Sequence, residues 1–148
     1  MTEPDEIKLK AIGTVRSGLK EPLHQKHEDA VAEIIIDKEL TGALDGLEQF
    51  SHIIVLWWVH KSRRPFPMKV HPRGNPANKL VGVFASRSPD RPNPIGKTTV
   101  RLLERRGNVL KVRGLDAIDG TPVLDIKPYI PGYDSADGAV APKWTTKK

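Results

Sequence analysis

Between Gly82 and Gly96 the chain reads Gly-Val-Phe-Ala-Ser-Arg-Ser-Pro-Asp-Arg-Pro-Asn-Pro-Ile-Gly, and the close spacing of Pro89, Pro92 and Pro94 forbids a helix across it. Each proline lacks the N–H a helix needs and biases the preceding residue away from the helical region. The run is therefore a stiff loop. Because proline holds φ near one value, Ser86, Arg87, Ser88, Arg91 and Asn93 have little freedom left to lose on meeting a ligand. An ordinary proline-rich surface connection has the same composition, so the flanking sequence has to decide between the two.

That flanking sequence reads as strand. Residues 7–11 alternate apolar and basic, and the pattern continues through residues 12–15 toward Arg16 as a first strand. Residues 31–36 are rich in β-branched side chains. Residues 52–60 are apolar on both faces and predict a central strand ending at His60 and Lys61. Residues 80–85 return to strand and lead into the proline loop. Gly107-Asn108 separates two alternating runs, which predicts a two-residue hairpin turn with Arg106 opposite Val109, Glu104 opposite Lys111 and Leu103 opposite Val112. Asp119-Gly120 marks a further turn, and residues 123–129 form a last strand closed by Pro128. Leu40, Leu44 and Leu47 have the spacing of one short amphipathic helix, despite Gly42 and Gly46. Residues 17–29 and 61–78 have no period and predict long irregular loops. The sum is an all-β, mainly antiparallel fold, either a small barrel or a sandwich. Neither a dinucleotide-binding nor a phosphate-loop motif occurs.

At 148 residues the chain is expected to hold one domain, over residues 1–131, with a weakly ordered tail over residues 132–148. The absence of cysteine excludes disulfides and thiolate zinc sites. His24 and His27 are three apart but lack a third ligand, so no metal is expected. An acidic N-terminus without a secretory pattern, and no apolar run near the roughly 18 residues a membrane span needs, predict a soluble cytoplasmic protein. Charge is unevenly spread. Residues 60–106 carry twelve Lys and Arg against Asp90 and Glu104, a net of +10, which leaves −4 on the remainder of a +6 chain. A basic middle of this kind suits a polyanion such as nucleic acid, although a solvated cationic face has the same composition.

No Ser-His-Asp set or nucleophile elbow is present. The carboxylates Asp116, Asp119 and Asp125 fall within one loop and strand, without the spacing of a calcium loop. A stiff Arg/Ser/Asn loop, nearby carboxylates, a basic face and Tyr129 together suit group transfer to a nucleic-acid base: cations hold phosphates, an aromatic ring stacks, and a carboxylate orients an amine.

Residues 82–96 and 115–129 closely resemble the two signature blocks of the TsaA-like family, and the resemblance extends to residues 12–17 and 47–52, so that it covers residues 7–131. Members include tRNA (adenine-N6)-methyltransferases acting on the threonylcarbamoyl-modified adenosine beside the anticodon. The resemblance implies a small β-barrel, S-adenosylmethionine as methyl donor, tRNA as partner, and a homodimer with the cofactor near the subunit interface. Carried over by position, it implies a cofactor site of Arg87, Lys97, Leu115, Asp116, Ala117, Ile118, His60 and Lys61, with Gln25 as a further contact. Asn93, Asp125, Lys127 and Tyr129 fall on the acceptor side. There an exocyclic amine attacks the sulfonium methyl, and Asp125 is the candidate for its proton. Arg91 or Lys127 meets the carboxylate of a threonylcarbamoyl group, and Arg63, Arg64, Lys69 and Arg73 contact the RNA.

Three departures from the family pattern stand out. Gly18 replaces a frequent proline, Gln25-Lys26-His27 replaces a Gln-Pro-Gly-type contact in a shortened loop, and Lys97 replaces an apolar residue. Two other functions remain compatible with the chain: a non-catalytic RNA-binding β-domain with a cofactor-sensing pocket, and methylation of a small molecule or protein.

Overall fold

A computed structural model describes residues 5–18 and 29–146. The eight strands are β1 (Gly13–Arg16), β2 (Val31–Ile36), β3 (His52–Trp58), β4 (Lys69–Val70), β5 (Val81–Gly82), β6 (Ile95–Arg106), β7 (Val109–Arg113) and β8 (Pro122–Pro128). The chain divides into two compact units, residues 1–58 with 96–129 and residues 59–95 with 130–148.

In the first unit six strands close into a barrel in the order β1-β2-β7-β6-β3-β8. The pairs β1–β2, β1–β8, β2–β7, β3–β8 and β6–β7 are antiparallel, as an all-β reading requires, and closure decides for a barrel over a sandwich. The inward positions carry the core: Ala32, Ile34 and Ile36 of β2, Ile53 and Val55 of β3, Val100 of β6, Leu110 and Val112 of β7, and Val123 of β8 are buried. Each such aliphatic side chain larger than alanine contributes about 1.5–3 kcal/mol by leaving water. Ile54 is buried as well, so β3 is apolar on both faces, as its sequence predicts.

The hairpin turn is where the sequence places it. Gly107 has φ +60°, and Arg106 faces Val109 while Glu104 faces Lys111. Beyond that pair the register slips, and Leu102, not Leu103, lies opposite Val112. Strict pairing would turn Arg101 inward and Val100 outward. The slip leaves Arg101 exposed opposite Arg113 and Val100 in the core, so burial overrides turn-set register.

Three other expectations change. Residues 38–49 form two 3-10 helices, Lys38–Leu44 and Leu47–Gln49, separated by Gly46 at φ +93°. Their closing bonds span three residues, as in Asp45 N–H to Gly42 O and Phe50 N–H to Leu47 O, so an α-helical stripe cannot form. Leu44 and Leu47 pack on the core and Leu40 stays exposed. Strand β1 begins at Gly13, with Ile7 86% exposed upstream, because only residues from Ile12 onward find ladder partners. Strand β3 ends at Trp58, which puts His60 and Lys61 in a turn.

The second unit pairs β4 with β5, Lys69 opposite Gly82 and Val70 opposite Val81, so the basic arm is not wholly irregular. Residues 83–85, expected as strand, form a 3-10 turn. In the chain's last segment Asp134 Oδ2 accepts from Ile130 N at 2.7 Å, and Arg73 Nη2 donates to Thr145 O at 3.2 Å.

Gly13 leaves no room for a side chain: a Cβ there would overlap the Ile35 carbonyl oxygen and lie 3.0 Å from Ile36 Cα, both backbone atoms that cannot swing away. Gly13→Ala is expected to lower stability by about 1–3 kcal/mol in urea unfolding, whereas Gly42→Ala, which meets nothing within 4 Å, stays within about 0.5 kcal/mol of the parent.

Candidate functional site

Strand β7 hands the chain to a loop, residues 114–121, pinned at both ends. Gly114 N–H donates to Ala30 O at 2.8 Å, and Gly120 N–H to Val15 O at 2.8 Å. Between these anchors Leu115, Ala117 and Ile118 are buried, and Asp119 accepts from Ser17 N at 3.0 Å. Asp116 alone of residues 115–118 is exposed. Thr98 Oγ1 donates to its Oδ1 at 3.1 Å, and Thr98 Oγ1 in turn accepts from Trp57 Nε1 at 3.1 Å. The peptide groups of Leu115, Asp116 and Ala117 find no hydrogen-bond partner among the described residues. Neither Thr98 nor Trp57 stands out in the sequence: one opens a hairpin strand and the other sits in an apolar run.

Strand β8 carries the other barrel residues of interest. A register shift opposite Leu56 and Trp57 lets Val123 and Ile126, three apart, both pack on the core. Asp125 and Lys127 are turned outward as a result and pair at 3.0 Å, while Asp125 Oδ1 accepts from Ile126 N at 2.9 Å. Both carboxylate oxygens therefore already have donors. Tyr129 meets His52, ring edge to ring at 6.4 Å between centroids, and its N–H donates to His52 O at 3.0 Å. Trp57 faces Val123, so roughly 20 Å of strand, at 3.3 Å per residue, separates its level from Tyr129. The barrel thus brings Asp116, Thr98 and Trp57 together and does not bring Tyr129 or Lys127 to them. Lys97 is exposed on β6. Gln25 lies outside the described residues.

In the second unit the proline loop is held by its own side chains. Ser86 Oγ donates to Val83 O at 2.8 Å and accepts from Ser88 N at 3.2 Å. Arg91 Nη1 donates to the carbonyls of Ser86 and Ser88, both at 3.0 Å. Asp90, with only 10% of its side chain exposed, accepts from Arg63 N at 2.7 Å and from Arg63 Nε and Nη2 at 3.1 Å each. Arg64 donates to Arg91 O at 2.8 Å and lies 5.6 Å over the Phe66 ring. Arg63, Arg64 and Arg91 thus have structural employment. Arg87, His60, Lys61, Lys69 and Asn93 are exposed. Residues 59–95 carry eight Lys and Arg against Asp90 alone, and only Arg63 has a carboxylate partner among the described residues.

A shallow cleft of about 140 Å³ on the barrel's outer face, lined by Arg16, Glu33, Glu104, Arg106, Val109 and Lys111, includes none of the predicted residues. Four of its five charges pair off, Arg16 with Glu33 at 2.6 Å and Arg106 with Glu104 at 3.2 Å, which leaves Lys111 over.

Residues 18–135 match the family model described as the tRNA-methyltransferase O N-terminal domain. An S-adenosyl-L-methionine-binding protein of Archaeoglobus fulgidus is 47% identical over 130 residues, 85% of this chain and 91% of that protein. The human tRNA (adenine(37)-N6)-methyltransferase is 48% identical over 102 residues, 68% of this chain and 23% of the relative. The crystal structure of TrmO from P. aeruginosa superposes with a TM-score of 0.79 at 32% identity, covering 97% of this chain and 64% of that one. The chain thus spans nearly all of the archaeal relative, under two thirds of the crystallised chain and under a quarter of the human enzyme.

The buried Asp90 carboxylate should be what orders the proline loop. Asp90→Ala is expected to remove about 1–3 kcal/mol of local stability, read as lost hydrogen-exchange protection at the Arg63 amide, with the barrel amides of β2 and β7 unchanged.

Proposed function

The chain belongs to the family of the tRNA-methyltransferase O N-terminal domain, and from that premise we propose that it transfers a methyl group from S-adenosylmethionine to N6 of a modified adenosine in the tRNA anticodon loop. The observation that carries the RNA half of this reading is the basic second unit. Seven of its cations over residues 59–95 (Lys61, Arg64, Lys69, Arg73, Lys79, Arg87 and Arg91) have no carboxylate partner among the described residues, and unneutralised cations are what a phosphate backbone rewards.

The barrel loop fits the cofactor chemically. S-adenosylmethionine offers donors at its ribose hydroxyls and ammonium, and Asp116 presents an exposed carboxylate with Oδ2 unengaged among the described residues. The unpaired peptide groups of residues 115–117 are suited to the adenine edge. When bound, the cofactor supplies an electrophilic methyl group. The residues of this chain then bind, orient and exclude water, and positioning supplies most of the rate. Asp125 is assigned to the acceptor side. Protonation of Asp125 would cancel the charge that holds Lys127 and so release Lys127 for a substrate carboxylate. Arg87, His60 and Lys61 are assigned to the cofactor, and Asn93, Arg91, Lys69 and Arg73 to the nucleotide. The protein works in the cytoplasm as a homodimer with the cofactor near the subunit interface. Exposed Met68, Leu80 and Phe84 in the second unit support a subunit contact. No helix of the described residues is long and apolar enough to cross a membrane.

Thermal unfolding with S-adenosylmethionine at about 100 times its dissociation constant should show roughly 2.7 kcal/mol of stabilisation. Labelled methyl should then appear in tRNA carrying the hypermodified adenosine. Stabilisation with no transfer to any tRNA would favour the non-catalytic RNA-binding alternative, and no stabilisation would remove the cofactor. Arg87→Ala is expected to lower transfer at least tenfold, a loss of about 1.4 kcal/mol in transition-state stabilisation.

A further inference from the structure

We infer that Thr98 and Trp57 form a positioning relay that holds the Asp116 carboxylate in its ligand-binding orientation. The inference rests on the assignment of Asp116 to the cofactor and adds two residues and a direction to it. The direction follows from donor inventory. An indole N–H donates only, and an ionised carboxylate accepts only. The hydroxyl of Thr98, 3.1 Å from each, must accept from Trp57 Nε1 and give its one proton to Asp116 Oδ1. No other arrangement satisfies both contacts, so the relay has one sense.

The barrel fixes the relay's root. Gly96, Thr98, Val100 and Leu102 alternate onto the inward side of β6, where Val100 is buried and Leu102 packs on the core. Trp57 packs on the same core, at the register shift where β3 leaves regular pairing with β8, and such shifts re-aim side chains. Its ring lies directly over Gly96: a Cβ there would come within 2.5 to 2.8 Å of three ring atoms. Glycine at residue 96 is therefore a requirement of the Trp57 ring position, not of a turn. An exposed aspartate on a loop ordinarily samples several rotamers. Here one oxygen is tied through two hydrogen bonds to a core residue, and the other is left for a ligand. That is how a rigid scaffold lends precision to a surface group.

The test is a double-mutant cycle on S-adenosylmethionine affinity, measured by titration calorimetry on the full chain, with unfolding temperatures recorded alongside. Thr98→Val keeps the shape and removes both bonds. It is expected to weaken binding about tenfold, the value of a hydrogen bond to a charged group. Thr98→Ser should restore affinity to within about threefold of the parent, at the lower end of what one neutral hydrogen bond is worth. Asp116→Ala, which deletes the acceptor, should weaken binding by itself, and Thr98→Val added to it should cost little more, since the relay acts only through that carboxylate. An equal loss from Thr98→Val in both backgrounds, or no loss in the parent when Asp116→Ala does weaken binding, overturns the relay alone. No effect of Asp116→Ala overturns the assignment of Asp116 to the cofactor, and the relay falls with it. Should Thr98→Val fail to fold, Trp57→Phe, which keeps a ring over Gly96 and deletes the N–H, runs the same cycle with the same criteria.

Discussion

Closure of the barrel between β1 and β8 is the contact on which the rest of the first unit depends. Strand β1 has four residues, and only Gly13 and Thr14 pair with β8, opposite Val123 and Pro122. The seam is lengthened by bonds outside the ladder: Ile12 N–H to Val123 O at 2.8 Å, Val15 N–H to Thr121 O at 2.9 Å, and Gly120 N–H to Val15 O at 2.8 Å. A closed sheet has no edge to protect, but it has to bring its first and last strands together, and the short strand that does so here also crosses the Ile35 carbonyl of β2 at Gly13. The same bonds anchor residues 120 and 121. The loop that presents Asp116 is therefore tied off by the act of closing the barrel, and Leu115, Ala117 and Ile118 seal it from beneath.

The second unit solves a different problem. Pro89, Pro92 and Pro94 have no N–H to offer, so a loop rich in them leaves carbonyls without backbone partners. Arginine supplies the deficit. Its planar guanidinium carries five N–H donors in a fixed fork, enough to serve two carbonyls at once, as Arg91 does for Ser86 and Ser88 and Arg64 does for Arg91 and Pro92. The arginines of this loop thus differ in employment: Arg91 holds two carbonyls through one nitrogen and keeps its charge, whereas Arg87 is wholly displayed. Sequence alone cannot sort them, because the distinction lies in which carbonyls the fold leaves unpaired.

The features readable from the sequence were those set locally or by dense burial. The turn at Gly107-Asn108 needs only its own two residues and stands where they put it, and β3 needs only an apolar run and starts where that run starts, at His52. Non-local features were not readable. The slip at Leu102 is decided by whether Val100 or Arg101 enters the core, which depends on strands far away in sequence. The shift in β8 has the same character: strict alternation would put Val123, Asp125 and Lys127 on one face, whereas the shift keeps Val123 in the core and turns the charged pair out. The 3-10 character of residues 38–49 was written in Gly42 and Gly46, whose cost outweighed the leucine spacing. Of the candidate site, Asp116 falls within a signature block. Thr98 and Trp57 were not, since a threonine in a strand and a tryptophan in an apolar run say nothing of a bond across 41 residues.

Charge divides along the same line as the two units, and the division makes chemical sense of the proposed reaction. The net of +10 over residues 60–106 includes Arg105 and Arg106, yet these belong to the barrel and are paired there, Arg105 with Asp45 and Glu48, and Arg106 with Glu104. What remains unneutralised is concentrated over residues 59–95. A carboxylate placed among those cations would be consumed as Asp90 is, which spends its charge on Arg63. S-adenosylmethionine carries a sulfonium and an ammonium against one carboxylate, so it is net positive and calls for an acid that is still available. Asp116, proposed for that role, has a neutral hydroxyl as its neighbour, which orients the carboxylate without cancelling its charge. A polyanion calls for the reverse, cations left without partners. With the cations of residues 59–95 other than Arg63 left without a carboxylate, and Asp116 left without a cation, among the described residues, neither charge is neutralised in advance.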